Sequence, residues 1–292
     1  QDFTRDQLEL YVKKNRQIGI FNASAVLVDT TDMAVKAYVG SAGFFNDSIL
    51  GQVDGVISKR SPGSTLKPFI YGMALDQGLI HYDTMLKDTP SSFNEYTPDN
   101  YGNTFKGPVK AWYALTQSRN IPAVNLAQQI HDPDLYDFLQ NAGITELKDK
   151  ETYGLSIVLG SADVSALELC SLYSIFDNGG VQYAINKTYP IKQKYPDSGR
   201  QLLSKEAAYI VKQMLFQNPS PIEARAKDME GFEVAYKTGT SIGFRDCWSV
   251  GVFSQYVLCV WIGNFDGVGN NSFLGRTAAA PLFFNIADGI SD

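Results

Sequence analysis

An α+β domain is predicted, its antiparallel sheet built from N- and C-terminal strands flanked by helices. Three observations carry that prediction. Short β-rich runs lie near both ends of the chain, and helical periodicity fills the stretch between them. Hydrophobic residues make up 44% and charged residues 19% of the 292, enough for a sizeable core.

Taken in order, Thr4-Arg5-Asp6-Gln7 has the form of a capping box opening a helix, with Leu8, Leu10, Tyr11 and Val12 following and Lys13, Lys14 and Arg16 suiting its end. Residues 25–29 and 34–40 are β-rich, with residues 30–33 as the turn of a hairpin. Residues 43–62 are loop-like, and a helix is expected to start near Ser64. Residues 88–110, rich in Pro, Ser, Asn and Tyr, are expected to form a long ordered loop, a kind of segment that is often functional. Helical patterns then run from 109 to about 217, interrupted at Gly143, Gly154, Gly179 and Pro190. Residues 234–240, 247–254 and 256–263 are expected as successive strands, and 277–290 as a closing helix. If Ser254-Gln255 is a two-residue turn, Cys247 lies opposite Ile262 and Cys259 opposite Val250, out of register for a disulfide.

Composition excludes several functions. The net charge of -6 and pI of about 5.0 offer no basic stripe for nucleic acid. Three separated cysteines, without a CxxC pair, and two histidines (His81 and His131) make no metal cluster. No apolar run reaches bilayer-spanning length. The opening Gln1-Asp2-Phe3-Thr4 lacks the features of a signal peptide.

Three short motifs carry chemistry. Ser64-Thr65-Leu66-Lys67 is the chain's one Ser-x-x-Lys. Positions i and i+3 of a helix share a face, so Lys67 can reach Ser64. A serine needs a base to become a nucleophile, and a lysine serves only when neutral. Burial and a second cation both favour that neutral form. Pro62-Gly63 allows a tight entry to the helix, and Pro68 is tolerated in its first turn. Lys237-Thr238-Gly239-Thr240 is the one Lys-[Ser/Thr]-Gly. On an edge strand, Lys237 can meet a carboxylate, the hydroxyls of Thr238 and Thr240 share a face, and Gly239 lets another backbone lie alongside. A phosphate-binding loop is excluded: Gly231 is correctly spaced, but Tyr236 stands where the second glycine must be. Ser-x-Asn occurs twice, as Ser92-Phe93-Asn94 and Ser118-Arg119-Asn120. The second is preferred because it immediately precedes the helix-like start Ile121-Pro122-Ala123-Val124.

The order Ser64, Ser118, Lys237 matches the S-x-x-K, S-x-N, K-T-G set of serine acyl-enzymes acting on β-lactams. Further matching pieces are Gly51-Gln52-Val53-Asp54, Arg60-Ser61-Pro62-Gly63, Pro68-Phe69, Ser241, Gly243-Phe244-Arg245-Asp246 and Trp261-Ile262-Gly263. On these residues the chain, from about Ala25 onward, resembles the transpeptidase domain of class A penicillin-binding proteins. The resemblance implies a penicillin-binding protein/serine β-lactamase-like fold over residues 25–292, preceded by an inter-domain linker at 1–24. It also implies catalytic roles for Ser64 (nucleophile), Lys67 (base), Ser118 (proton donor to the leaving group) and Lys237. Asn120 would hold the substrate backbone and orient Lys67. Thr238, Gly239 and Thr240 would bind substrate, and the N–H groups of Ser64 and Thr240 would form the oxyanion hole. Expected partners are peptidoglycan stem peptides and β-lactam antibiotics, with no cofactor and no metal. A full-length protein of this kind carries a glycosyltransferase domain and a membrane anchor, and its site faces the periplasm or cell exterior.

Two departures stand out. Arg119 occupies the middle motif where the best-known version has Asp. No Glu-x-x-Leu-Asn, which class A β-lactamases use to activate water, is present. A cross-linking enzyme is therefore expected. A β-lactam sensor or scaffold, or a D,D-carboxypeptidase or β-lactamase, is the alternative.

Overall fold

The computed structural model describes residues 1–93, 96–186, 195, 198–221 and 233–291. Helix α1 spans Asp2–Asn15 and begins ahead of the expected Thr4 cap. The reason is Gln1. Its side-chain amide pairs with the backbone of Tyr38, donating to the carbonyl at 2.9 Å and accepting from the N–H at 2.8 Å. The helix thus starts directly after Gln1, and Thr4 becomes part of a buried Thr4, Leu8, Val12 stripe at i, i+4, i+8.

Strands β1 (Asn22–Asp29) and β2 (Val35–Val39) form the predicted hairpin. A 3₁₀ turn at Gly63–Leu66 leads into α2 (Lys67–Asp76), with Pro68 in its first turn. The expected long loop at 88–110 is bracketed by a small hairpin, β3 (Met85–Asp88) with β4 (Gly107–Lys110). Short helices follow: α3 (Ala111–Thr116), α4 (Asn120–Gln129), α5 (Leu135–Asn141), α6 (Lys150–Tyr153) and α7 (Ala166–Tyr173). Gly143, Gly154 and Gly179 all have positive φ and interrupt the helices as expected; Pro190 lies outside the described residues. A two-residue pairing of β5 (Val181–Gln182) with β6 (Arg200–Gln201) precedes α8 (Lys205–Phe216).

Strands β7 (Val234–Thr240), β8 (Asp246–Phe253) and β9 (Tyr256–Gly263) match the three expected runs. A π-helical turn at Gly275–Ala279 opens the closing helix α9 (Ala280–Ser291). The sheet is wholly antiparallel, in the order β2-β1-β9-β8-β7, so terminal segments from both ends make one sheet.

Strands β1, β8 and β9 read as near-continuous apolar runs because both faces of the sheet are covered. The alternation is visible in what each side chain meets. Ala25, Leu27, Leu258, Val260 and Ile262 face a core shared with α1 and α9. Val26, Val28, Val257, Cys259 and Trp261 face the helical lobe of α2, α4, α7 and α8. Helix α2 lies deep in that lobe, where Phe69 packs on Phe138, Tyr173 and Phe176 at centroid distances of 5.4, 5.3 and 5.5 Å. The β8–β9 register sets Cys247 opposite Ile262 and Cys259 opposite Val250, and Cys170, Cys247 and Cys259 are all free and buried. Among the described residues no helix is long and apolar enough to cross a membrane.

Candidate active site

Three segments far apart in sequence converge beside β7, the edge strand of the sheet. The first is the turn before α2. Gly63 has φ +54°, and a Cβ there would lie 2.4 Å from the carbonyl oxygen and 2.7 Å from the nitrogen of Thr240. A Cβ on Gly239 would lie 2.2 Å from the carbonyl oxygen of Pro62. The two glycines let the Ser64 turn and the end of β7 touch backbone to backbone. Gly239 was expected to admit a neighbouring backbone; the one it meets on this side is the chain's own.

The second segment is the loop between α3 and α4. Ser118 has φ +56°, an uncommon conformation for a non-glycine residue and one that recurs at functional sites. Helix α4 starts two positions later at Asn120, as the Ile121-Pro122 sequence predicts. The third is β7 itself, whose Lys237 is fully buried.

These segments are joined by lysine hydrogen bonds. Lys67 Nζ donates to the Ser118 carbonyl at 2.8 Å and to Asn120 Oδ1 at 2.6 Å. Lys237 Nζ donates to Ser118 Oγ at 2.8 Å and to the Thr238 carbonyl at 2.9 Å. Burial first, then the nearby Lys237 and Arg119 charges, push Lys67 well below the ordinary lysine value. Burial alone lowers Lys237 from 10.5 to about 7. No acidic side chain accepts a hydrogen bond from either amine among the described residues, so neither is held in its charged form by an ion pair.

Arg119 points away from the amines toward Asp88. Its Nε donates to Asp88 Oδ2 at 2.8 Å, and its Nη2 reaches the Thr104 carbonyl. Asp88 is fully buried and also accepts from Asn100 Nδ2 at 2.7 Å and from the Lys106 N–H at 3.1 Å. Asn100 Oδ1 in turn accepts from the Asn120 N–H at 2.8 Å, and Asn120 Nδ2 donates to the Asp99 carbonyl at 2.6 Å. Asp88 and Asn100 thus tie the 88–110 loop to the start of α4. Sequence reasoning did not single out either residue, because no local motif marks two side chains that act through tertiary contact.

An open cleft of about 810 Å³ runs along this junction. Ser64, Ser118, Asn120, Thr238, Gly239 and Thr240 all line it. Ser92 does not; it is exposed in the loop after β3, and Asn94 of that second Ser-x-Asn lies outside the described residues, as does Gly231.

The matching pieces without evident chemistry form a brace behind Ser64. Arg60 pairs with Asp246 at 3.3 Å and stacks on Trp261 at 4.6 Å from the ring centroid. Trp261 Nε1 donates to Asp246 Oδ1 at 3.0 Å, and Trp248 Nε1 donates to the Ser61 carbonyl at 2.8 Å. Ser61 Oγ donates to the Gly160 carbonyl at 2.7 Å.

Residues 23–280 match the family model of the penicillin-binding protein transpeptidase domain. The chain belongs to that family. A penicillin-binding protein 1C from Escherichia coli (strain K12) is 36% identical over 258 residues, covering 88% of this chain and 33% of that protein. A penicillin-binding protein 1A from Neisseria cinerea is 29% identical over 294 residues, covering 91% and 35%. The chain therefore spans about a third of the length of these relatives. The solved structure of the PonA1 protein from Mycobacterium tuberculosis in complex with penicillin V superposes with a TM-score of 0.77 at 21% identity, covering 99% of this chain and 84% of that one. The α+β architecture is thus that of a penicillin-binding transpeptidase domain.

Proposed function

We propose that this domain is a serine-type D-alanyl-D-alanine transpeptidase that cross-links peptidoglycan stem peptides and is acylated by β-lactams. The observation that supports this most is Ser118, which meets Lys237 at its hydroxyl and Lys67 at its carbonyl, in a cleft that Ser64 lines.

Ser64 Oγ attacks the carbonyl carbon between the two terminal D-alanines, and Lys67 takes its proton. A neutral amine has two N–H bonds and one lone pair. Ser118 and Asn120 engage both N–H bonds of Lys67, which leaves the lone pair to accept that proton. The N–H groups of Ser64 and Thr240 receive the developing oxyanion. The C–N bond then breaks, and Ser118 gives its proton to the nitrogen of the departing D-alanine while regaining one from the Lys237 ammonium that hydrogen-bonds its Oγ. Because Ser118 Oγ accepts from Lys237, its own O–H is left free to donate in that transfer. Asn120 holds the donor peptide backbone, while Thr238, Gly239 and Thr240 form the strand edge along which it lies, with Thr238 and Thr240 taking the terminal carboxylate. An amine from a second stem peptide attacks the Ser64 ester. The bond from the acyl carbon to Ser64 Oγ breaks as Lys67 returns its proton to that oxygen. The proton shed by the amine replaces, through Ser118, the one Lys237 gave, which completes the cross-link.

In the full-length protein, residues 1–24 would connect this domain to a preceding glycosyltransferase domain and membrane anchor, with the cleft on the periplasmic or outer side. Helix α1, within that segment, packs Leu8 and Val12 into the domain's own core.

The test is incubation with benzylpenicillin followed by intact-mass measurement. A single adduct on the wild type, absent from Ser64→Ala, is expected. Full labelling of Ser64→Ala would overturn the assignment of the nucleophile.

A further inference from the structure

A terminal carboxylate in this cleft needs a positive partner, and Lys237 is poorly suited to be the whole of it. Its amine is fully buried, and two of its hydrogen bonds already go to Ser118 Oγ and the Thr238 carbonyl. Burial also brings it down to about 7, so at neutral pH it carries only part of a charge. Lys67 is buried too and turned to Ser118 and Asn120. Arg119 lines the cleft but is committed to buried Asp88.

Arg276 differs on each count. It lines the same cleft, is exposed, and makes no ion pair among the described residues. The turn that carries it rests directly on β7. The Gly275 N–H donates to Thr240 Oγ1 at 3.0 Å, and a Cβ on Gly275 would fall 2.9 Å from Thr238 Cβ and 2.6 Å from the Gly239 carbonyl oxygen. Only a glycine lets the turn lie this close, so residue 276 starts its side chain beside both threonines. Its charge is felt at Tyr236 on the same strand, where it opposes the upward effect of burial. Asp99 is the one acidic side chain among the described residues that line the cleft. A guanidinium stays charged at any working pH and can clasp a carboxylate through two parallel N–H groups.

We propose that Arg276 is a specificity-determining residue that reads the terminal carboxylate of the acyl donor at Thr238 and Thr240, leaving Lys237 to serve Ser118. This rests on the transpeptidase reading above. Electrostatic work is divided between a buried lysine tuned for proton transfer and an exposed arginine tuned for recognition.

The experiment compares benzylpenicillin with its methyl ester, which removes the carboxylate charge and leaves the reactive ring intact. Second-order acylation rate constants are measured by intact mass for the wild type, Arg276→Ala and Arg276→Lys. The acid-to-ester ratio should fall about 10-fold or more in Arg276→Ala, as loss of a hydrogen bond to a charged group implies, and recover in part in Arg276→Lys. Because the ratio is taken within each protein, a general loss of activity cannot mimic the effect. An unchanged ratio, with normal wild-type acylation, would overturn the role of Arg276 alone. Absence of any adduct on the wild type would remove the transpeptidase reading and this inference with it.

Discussion

Ser118 is the residue on which both lysines converge, and its hydroxyl is the group most open to test. Ser118→Ala should slow acylation by about 100-fold or more, the usual worth of a positioned proton-transfer group. Ser92→Ala, outside the cleft, should acylate at close to the wild-type rate. Stopped-flow or quenched mass measurements distinguish the two, and the reverse ranking would show that the other Ser-x-Asn matters. Lys237 supports a second prediction, about stability. Its value in the folded state, about 7, lies below the ordinary 10.5, so unfolding takes up a proton between those pH values. Its contribution therefore makes stability rise as pH climbs through that window, and Lys67 acts in the same direction. Lys237→Met should be more stable than the wild type at pH 7, with the advantage shrinking toward pH 10. Urea midpoints at both pH values check this, and an advantage that grew with pH would contradict it. The motif residues were legible in sequence because their chemistry demands fixed residue types at short spacing. Asp88, Asn100 and Arg276 were not, since their meaning comes only from what the fold sets beside them.

At the scale of elements, the brace of Arg60, Asp246, Trp248 and Trp261 joins the Ser64 turn to the middle of the sheet. Asp246 is buried and holds both the Arg60 guanidinium and the Trp261 indole. Asp246→Ala leaves that guanidinium unpaired, and a loss of about 3 kcal/mol in chemical unfolding is expected. Acylation should weaken as well, since the Ser64 turn loses its support; a variant as stable as the wild type would show that the ion pair is dispensable. Strands were the most readable elements. Their apolar runs are bounded by turns, and the two-residue turn at Ser254-Gln255 fixed the β8–β9 register, cysteines included. The start of α1 was misread. Thr4-Arg5-Asp6-Gln7 fits a local capping rule, but a tertiary pairing of Gln1 with Tyr38 overrides it. The β3–β4 hairpin was hidden for a similar reason: Pro108 and polar neighbours read as loop, and pairing across the 88–110 segment cannot be seen locally.

For the molecule as a whole, the fate of the acyl-enzyme separates enzyme classes. Acylation needs a nucleophile and a base, whereas hydrolysis also needs an activated water. Among the described residues that line the cleft, Asp99 is the one acidic side chain. A penicillin adduct, whose leaving nitrogen stays tethered and obstructs the acceptor, should persist for many minutes after excess drug is removed. Following the intact mass with time checks this; an adduct lost within seconds, with steady turnover of drug, would favour a β-lactamase.

The sheet order also sets a timetable. Strand β1 lies between β2, its immediate successor, and β9, which arrives near the end of the chain, with Asp29 finally meeting Tyr256. Until then one side of the early hairpin is an unpaired, apolar edge, open to wrong partners. Such distant pairings slow folding, because a long loop must close before the contacts reward it. The cleft inherits the delay: Ser64 and Ser118 are made early, yet Lys237, which meets the Ser118 hydroxyl, comes on the strand added at the far edge. A polypeptide emerging N-terminus first would carry Ser64, the proposed nucleophile, without its partners until β7, β8 and β9 had docked, so reactivity toward a penicillin could serve as a clock for the last step of folding.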